Sequence, residues 1–263
     1  MKLIYFLPFL LVFFLVACQA TTVPEQKKVE MLETSSGQEI ETQELSNGVQ
    51  GFLAKPTDRG DYPGVIMIHE WWGLNDNIKQ MAETLAKEGY VVLAVDLYNG
   101  EVAADANRAR ELSAQVRNNP EKAIQEMKNA VAYLKEEQQV EKVASLGWCF
   151  GGGQALQLSL NEDLDATIIY YGQLTDDPEQ LKNIEGPVLG IFGEEDTSIP
   201  VQSVKDFEAA LDELGIENRI YIYPGVGHAF ANPSGASYAA EETLDAWDKT
   251  VLFLNDRLKG RID

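Results

Sequence analysis

From residue 51 onward, short apolar runs alternate with longer segments whose apolar positions recur at helical spacing. Residues 51–55 read as a short strand ended by Pro56. Residues 64–69 form a continuous apolar run, the mark of a strand buried on both faces. Asn75 or Asp76 can cap a helix that carries Ile78, Met81, Leu85 and Ala86 on one face and stops at Gly89. Residues 90–95 give a second buried strand, and polar helical segments follow over 108–116 and 121–135. The pattern then predicts strands at 143–147, 166–171, 188–192 and 219–223. Helices fall between and after them, at 150–160, 202–214 (ending at Gly215) and 237–258. Repeated alternation of this kind predicts an α/β fold, a mostly parallel central sheet with helices on both faces. Active residues are then expected on loops beyond the C-terminal ends of the strands.

The first 43 residues break the pattern. Met1-Lys2 is followed by an apolar stretch, interrupted by Pro8 and too short for a comfortable membrane span, that ends at Ala17-Cys18. Residues 19–43 are rich in Thr, Glu, Gln, Ser and Lys without apolar periodicity and read as a flexible tether. The folded domain is therefore expected over 44–263. Leu15-Val16-Ala17-Cys18 resembles the lipobox of bacterial lipoproteins. That resemblance implies cleavage before Cys18, lipidation of its thiol, and a domain anchored to a cell-envelope membrane, facing the periplasm or the exterior. The plainer alternative is an ordinary signal peptide or an uncleaved anchor in which Cys18 is incidental.

Composition narrows the function classes. A chain of 263 residues suits one domain behind a leader. The formal net charge of -21 repels phosphate backbones, so nucleic acid is not an expected partner, and the acidity reads as solubility. Two cysteines, Cys18 and Cys149, do not make a disulfide scaffold. Together with two histidines they give no basis for a transition-metal cage, and no cofactor is expected.

Gly147-Trp148-Cys149-Phe150-Gly151 has the Gly-x-nucleophile-x-Gly pattern, between a predicted strand and a predicted helix. A nucleophile on such a turn is strained and exposed, and the helix N-terminus behind it favours a thiolate. The plain alternative is a small buried Cys beside a glycine-rich turn. The chain order that goes with this pattern is nucleophile, acid, His. His228 is the one His after Cys149, in the loop Pro224-Gly225-Val226-Gly227-His228-Ala229-Phe230. The acid belongs in Gly193-Glu194-Glu195-Asp196-Thr197-Ser198-Ile199-Pro200, where Asp196 has the favoured spacing and Glu194 and Glu195 are rivals. Its role would be to hold the imidazole tautomer and stabilise the imidazolium. His69-Glu70-Trp71-Trp72-Gly73 follows the first buried strand. The backbone N–H groups of Trp71 and Phe150 are the expected oxyanion donors, and one of Trp71 and Trp72 is expected to line the pocket.

Together these motifs, with Asp96-Leu97-Tyr98 and Tyr170-Tyr171-Gly172, resemble the dienelactone hydrolase family (carboxymethylenebutenolidases) of α/β-hydrolases over residues 49–258. The resemblance implies an ester or lactone hydrolase with Cys149 as nucleophile, His228 as base and Asp196 as orienting acid. It also implies that Glu70 keeps the resting thiol protonated until substrate binding releases it. One departure stands out. Family members acting on dienelactone grip the substrate carboxylate with arginines, one just after the catalytic His. Here that stretch reads Ala231-Asn232-Pro233, and Arg108 and Arg110 are the candidates for the other. A thioesterase and a non-enzymatic binding lipoprotein on the same fold are the competing readings. Amides fit poorly, because the tetrahedral intermediate would expel the thiolate more readily than an amine.

Overall fold

The computed structural model describes Met1, residues 38–46 and residues 48–260. The chain divides into Met1–Met31 and Leu32–Asp263. The leader and Cys18 lie outside the described residues, as do residues 19–37 of the expected tether. Among the described residues no helix is long and apolar enough to cross a membrane.

The second unit is built on an eight-stranded sheet. Its strands are β1 (Ile40–Leu45), β2 (Gly51–Pro56), β3 (Gly64–Ile68), β4 (Val91–Val95), β5 (Val143–Trp148), β6 (Ala166–Tyr170), β7 (Val188–Gly193) and β8 (Asn218–Tyr223). They lie side by side as β1-β2-β4-β3-β5-β6-β7-β8. β1 and β2 pair antiparallel at one edge, and every pairing from β4 to β8 is parallel.

Helices α1 (Asp76–Lys87), α2 (Ala106–Arg117), α3 (Pro120–Glu136), α4 (Phe150–Ser159), α5 (Pro178–Leu181), α6 (Val201–Glu213) and α7 (Ala240–Leu254) cover the sheet, and a π-helical turn over Asn255–Lys259 extends α7. Alternate residues of each strand serve opposite faces, as the pleat requires. Val65 and Met67 pack with Ile78 and Leu85 of α1 and Trp247 and Phe253 of α7. Ile66 and Ile68 pack with Ala109 of α2, Met127 of α3 and Leu158 of α4. Burial on both faces is why the middle strands read as unbroken apolar runs. The Asn75 side chain accepts from the Ile78 N–H and caps α1, and Gly89 follows its end at a φ of +83°.

One expectation needs correcting. Residues 40–43, assigned to the tether, belong to β1. Strand β1 is an edge strand whose residues 41–44 are exposed, so it gains backbone hydrogen bonds to β2 but little apolar burial. It therefore lacks the periodicity that reveals the other strands, and its charged Glu41 and Glu44 suit an open sheet edge.

Topology decides where a site can form. The chain runs from β3 to β4 on one side of β3, then crosses to β5 on the other side. Loops leaving the C-terminal ends of β3 and β5 diverge at this switch point and leave a crevice between them. The His69–Gly73 loop and Cys149 lie at those two ends.

Candidate active site

Strand β5 ends at Trp148, α4 begins at Phe150, and the entire turn is Cys149. Its backbone has φ 55° and ψ -117°, a left-handed conformation that costs a residue with a Cβ of order 1–3 kcal/mol. The turn is this tight because its glycines let backbone meet backbone. A Cβ on Gly147 would collide with the Gly151 carbonyl, and one on Gly151 with the Ile68 and His69 carbonyls. The second contact seats α4 directly on the end of β3. Phe150 opens α4, so its N–H is one of the first-turn donors that no helical carbonyl takes.

The fold brings the turn after β5 and the loops after β7 and β8 together. His228 Nε2 lies 3.1 Å from Sγ, and His228 Nδ1 lies 2.7 Å from Asp196 Oδ2. Asp196 is buried, and its other oxygen accepts from the Ser198 and Ile199 N–H groups at 2.7 and 3.0 Å. Burial alone would raise this carboxyl. The His228 hydrogen bond and the backbone donors outweigh burial and hold it below its ordinary value. An ionised carboxylate can only accept, so Nδ1 carries a proton and Nε2 is left to face the sulfur. For His228, burial opposes the charged form, but Asp196 and Cys149 raise the imidazole to about 10. Glu194 and Glu195 are both exposed, and the imidazole pairs with neither.

The loop after β3 supplies a second set of groups. Glu70 is buried, and Asn232 Nδ2 donates to its Oε2 at 2.5 Å. Burial pushes its carboxyl up to about 7, against the pull of nearby His228 and the Asn232 hydrogen bond. His69 is fully buried one residue earlier. Its Nε2 accepts from the Leu97 N–H at 3.3 Å, so the proton sits on Nδ1, which donates to the Glu70 carbonyl at 2.6 Å. Gly73 N–H reaches the same carbonyl. That carbonyl and the Trp71 N–H share one planar trans peptide, so fixing the first fixes the second in the opposite direction. Tyr98 holds the next peptide by donating from its hydroxyl to the Trp71 carbonyl at 3.1 Å. The Asp96 carboxylate in turn holds the Tyr98 backbone N–H.

Trp71 and Trp72 are both half-buried and pack edge to face, with ring centroids 5.0 Å apart. Neither Arg108 nor Arg110 stands free for a substrate. Arg108 is held by Glu101 and Glu111, and Arg110 by Asn107. Arg117 donates to the Ser113 hydroxyl and sits 6.0 Å from the centroid of the Phe150 ring.

Two contributors escape a reading of the residues alone. Asn232 shows in the sequence only as a missing arginine. Tyr171 stands in a motif without an assigned role. Its buried ring stacks edge-on to His228 at 5.3 Å and to Phe230 at 5.6 Å, from a backbone φ of 35°. No residue type or spacing announces either contact, because both join loops far apart in the chain.

A mostly parallel sheet of this order, with a nucleophile-type turn after β5 and acid and histidine loops after β7 and β8, is the fold of an α/β-hydrolase. The profile of the Dienelactone hydrolase family matches residues 49–258, and the chain belongs to that family. It is 35% identical over 242 residues to a protein of Saccharolobus solfataricus named "Putative carboxymethylenebutenolidase", covering 78% of this chain and 93% of that one. It is 32% identical over 231 residues to Protein usf of Aquifex pyrophilus, covering 84% and 99%. The fold matches a dienelactone hydrolase-like promiscuous phosphotriesterase from metagenomic libraries with a TM-score of 0.76 at 22% identity, covering 83% and 98%. The protein is a hydrolase of this family.

Proposed function

We propose that the protein hydrolyses small carboxylic esters or lactones through a Cys149–His228–Asp196 triad and a thioester acyl-enzyme. The observation that carries this reading is the unbroken hydrogen-bonded line from the Cys149 sulfur through both nitrogens of His228 to a buried Asp196. Nucleophile, base and orienting acid must stand in that order for attack to occur.

The Cys149 thiol gives its proton to His228 Nε2, and the sulfur attacks the carbonyl carbon while the carbonyl π electrons move to oxygen, where the N–H groups of Trp71 and Phe150 receive the developing charge. Collapse breaks the bond to the alcohol oxygen, which takes the proton from His228 Nε2. In a lactone that alcohol stays attached to the acyl group. Water then attacks the thioester as His228 accepts its proton, the carbon–sulfur bond breaks, and the acid leaves. Glu70, beside this line, gates the thiol.

The site suits thioesters as well as oxygen esters, and the same steps apply. The test is a screen of ester, lactone and thioester substrates with wild type and Cys149→Ala. Turnover lost in the variant supports the reading, and turnover kept in the variant refutes it.

The reading extends to the chain's setting: Cys18 is lipidated and anchors the domain to a membrane, facing the periplasm or the exterior. Support comes from the apolar stretch ending at Ala17-Cys18. Cys18→Ala should release the protein from the membrane fraction or leave its precursor uncleaved. A wild type that is wholly soluble and carries no lipid mass would refute it.

A further inference from the structure

Tyr98 lies three residues beyond β4, buried, and touches both residues whose N–H groups are the proposed oxyanion donors. Its hydroxyl donates to the Trp71 carbonyl at 3.1 Å, the one donor to that carbonyl among the described residues. Its ring packs against Phe150 with centroids 5.7 Å apart. The same ring meets His69 edge-on at 4.6 Å, and His69 stacks on Phe150 at 5.8 Å. Three rings thus fill the space between the loop after β3 and the start of α4. Burial raises the Tyr98 phenol above its ordinary value, so the hydroxyl keeps its proton and serves as a donor.

The segment from β4 to α2 braces the loop after β3 at three points. Leu97 N–H meets His69 Nε2 at 3.3 Å, the Tyr98 hydroxyl meets the Trp71 carbonyl, and Ala103 N–H meets the Trp72 carbonyl at 2.9 Å. Asp96 ties the brace to itself, one carboxylate oxygen accepting from Tyr98 N–H at 2.8 Å and the other from Gly100 N–H. Two planar peptides meet at the Trp71 Cα. The first ends in the Trp71 N–H, and its Glu70 carbonyl is held by His69 and Gly73. The second begins with the Trp71 carbonyl, and only Tyr98 holds it. Without the hydroxyl that second plane can turn, and the N–H on the other side of the Cα turns with it.

From this geometry we infer that Tyr98 is a positioning residue that aims the Trp71 N–H and sets its spacing from the Phe150 N–H. The inference rests on the proposed oxyanion role of those two groups and deepens it. The rate of attack on a carbonyl then depends on one hydroxyl contributed by the loop after β4.

The experiment compares two reactions of the full-length protein at Cys149. Ester hydrolysis builds an oxyanion. Alkylation by iodoacetamide displaces iodide at a saturated carbon and builds none. Tyr98→Phe keeps the ring and removes the hydroxyl. It should lower kcat for the ester about tenfold with KM within about twofold, because the oxyanion exists only beyond the ground state. A trifluoromethyl ketone, which a thiolate attacks to give a tetrahedral oxyanion adduct, should bind about tenfold more weakly. Alkylation, read by mass spectrometry of the Cys149 peptide so that Cys18 does not contribute, should keep the wild-type rate. Asp96→Asn leaves Tyr98 in place but loosens its seat, since an amide cannot accept from both N–H groups in the same way. It should give the same pattern at smaller size. Near-ultraviolet circular dichroism checks folding, and Asp96→Asn decides if Tyr98→Phe does not fold. An unchanged kcat would overturn the inference. So would a raised KM at constant kcat, or an equal slowing of alkylation, since those mark substrate binding or a merely structural role. If Cys149→Ala keeps its hydrolytic activity, the parent reading fails instead, so the two failures are separable.

Discussion

The loops after β3 and β8 each carry a histidine, and the two could hardly differ more in what surrounds them. His69 is fully buried, both its nitrogens are spent on backbone partners, and burial holds its pKa below the ordinary value. His228 is part-exposed, with Asp196 on one nitrogen and Cys149 on the other, and those partners raise it to about 10 despite burial. An imidazole between two backbone groups stays neutral and fixes peptide geometry. An imidazole between a carboxylate and a thiol is placed where it could carry a proton. The residue type is shared, and the partners decide its use.

The widest separation between the two loops should appear on deleting chemistry. His228→Ala and Cys149→Ala should each lower kcat by about four to six orders of magnitude, with the double variant little worse, because members of a catalytic unit are strongly non-additive. Cys149→Ser should also lose most of its rate, since a hydroxyl is not ionised at neutral pH. A double variant far below either single one would break the unit apart.

Asp196→Asn comes next, with a loss of about two to four orders of magnitude in kcat. The His228 imidazole should then titrate nearer the ordinary histidine range, visible by NMR of its ring protons. An unmoved titration would show that Asp196 does not set His228 apart from His69.

His69→Ala tests the other loop. Lost packing and the Leu97 N–H left unpaired should lower stability by about 2–4 kcal/mol in urea unfolding. Its activity loss should be far smaller than that of His228→Ala. An equal loss would make His69 part of the chemistry.

The pH dependence of stability sharpens the contrast through Glu70. Its carboxyl is raised from an ordinary 4.5 to about 7, so the folded state keeps a proton that the unfolded chain has released. The contribution is full below the ordinary value and is lost as pH rises through about 7. Glu70→Gln should therefore match wild type in acid and exceed it in alkali, by up to about 3 kcal/mol in urea unfolding. An advantage independent of pH would refute that account. The smallest effect should come from Glu194→Gln and Glu195→Gln, exposed neighbours of Asp196, whose kcat should stay within about twofold of wild type since surface changes rarely matter.

Much of this was legible in the chain. Buried strands announce themselves as unbroken apolar runs, and the elbow at Cys149 by its flanking glycines. The order Cys149, Asp196, His228 follows from one motif and one remaining histidine. These features are local, and local sterics and burial write them into neighbouring residues. Strand β1 was missed because an exposed edge strand is stabilised by backbone hydrogen bonds, which leave no side-chain pattern. His69 gave no sign of its bond to the Leu97 N–H, nor Asn232 of its hold on Glu70, and Arg108 and Arg110 in α2 gave no sign of which neighbours would take them. The sequence by itself determined the fold class, the nucleophile turn and the candidate triad. Tertiary structure decided which histidine stays neutral, which carboxyl is raised and what restrains it, because charge state depends on burial and on partners that only the crossing of the chain at β3 and β5 brings together.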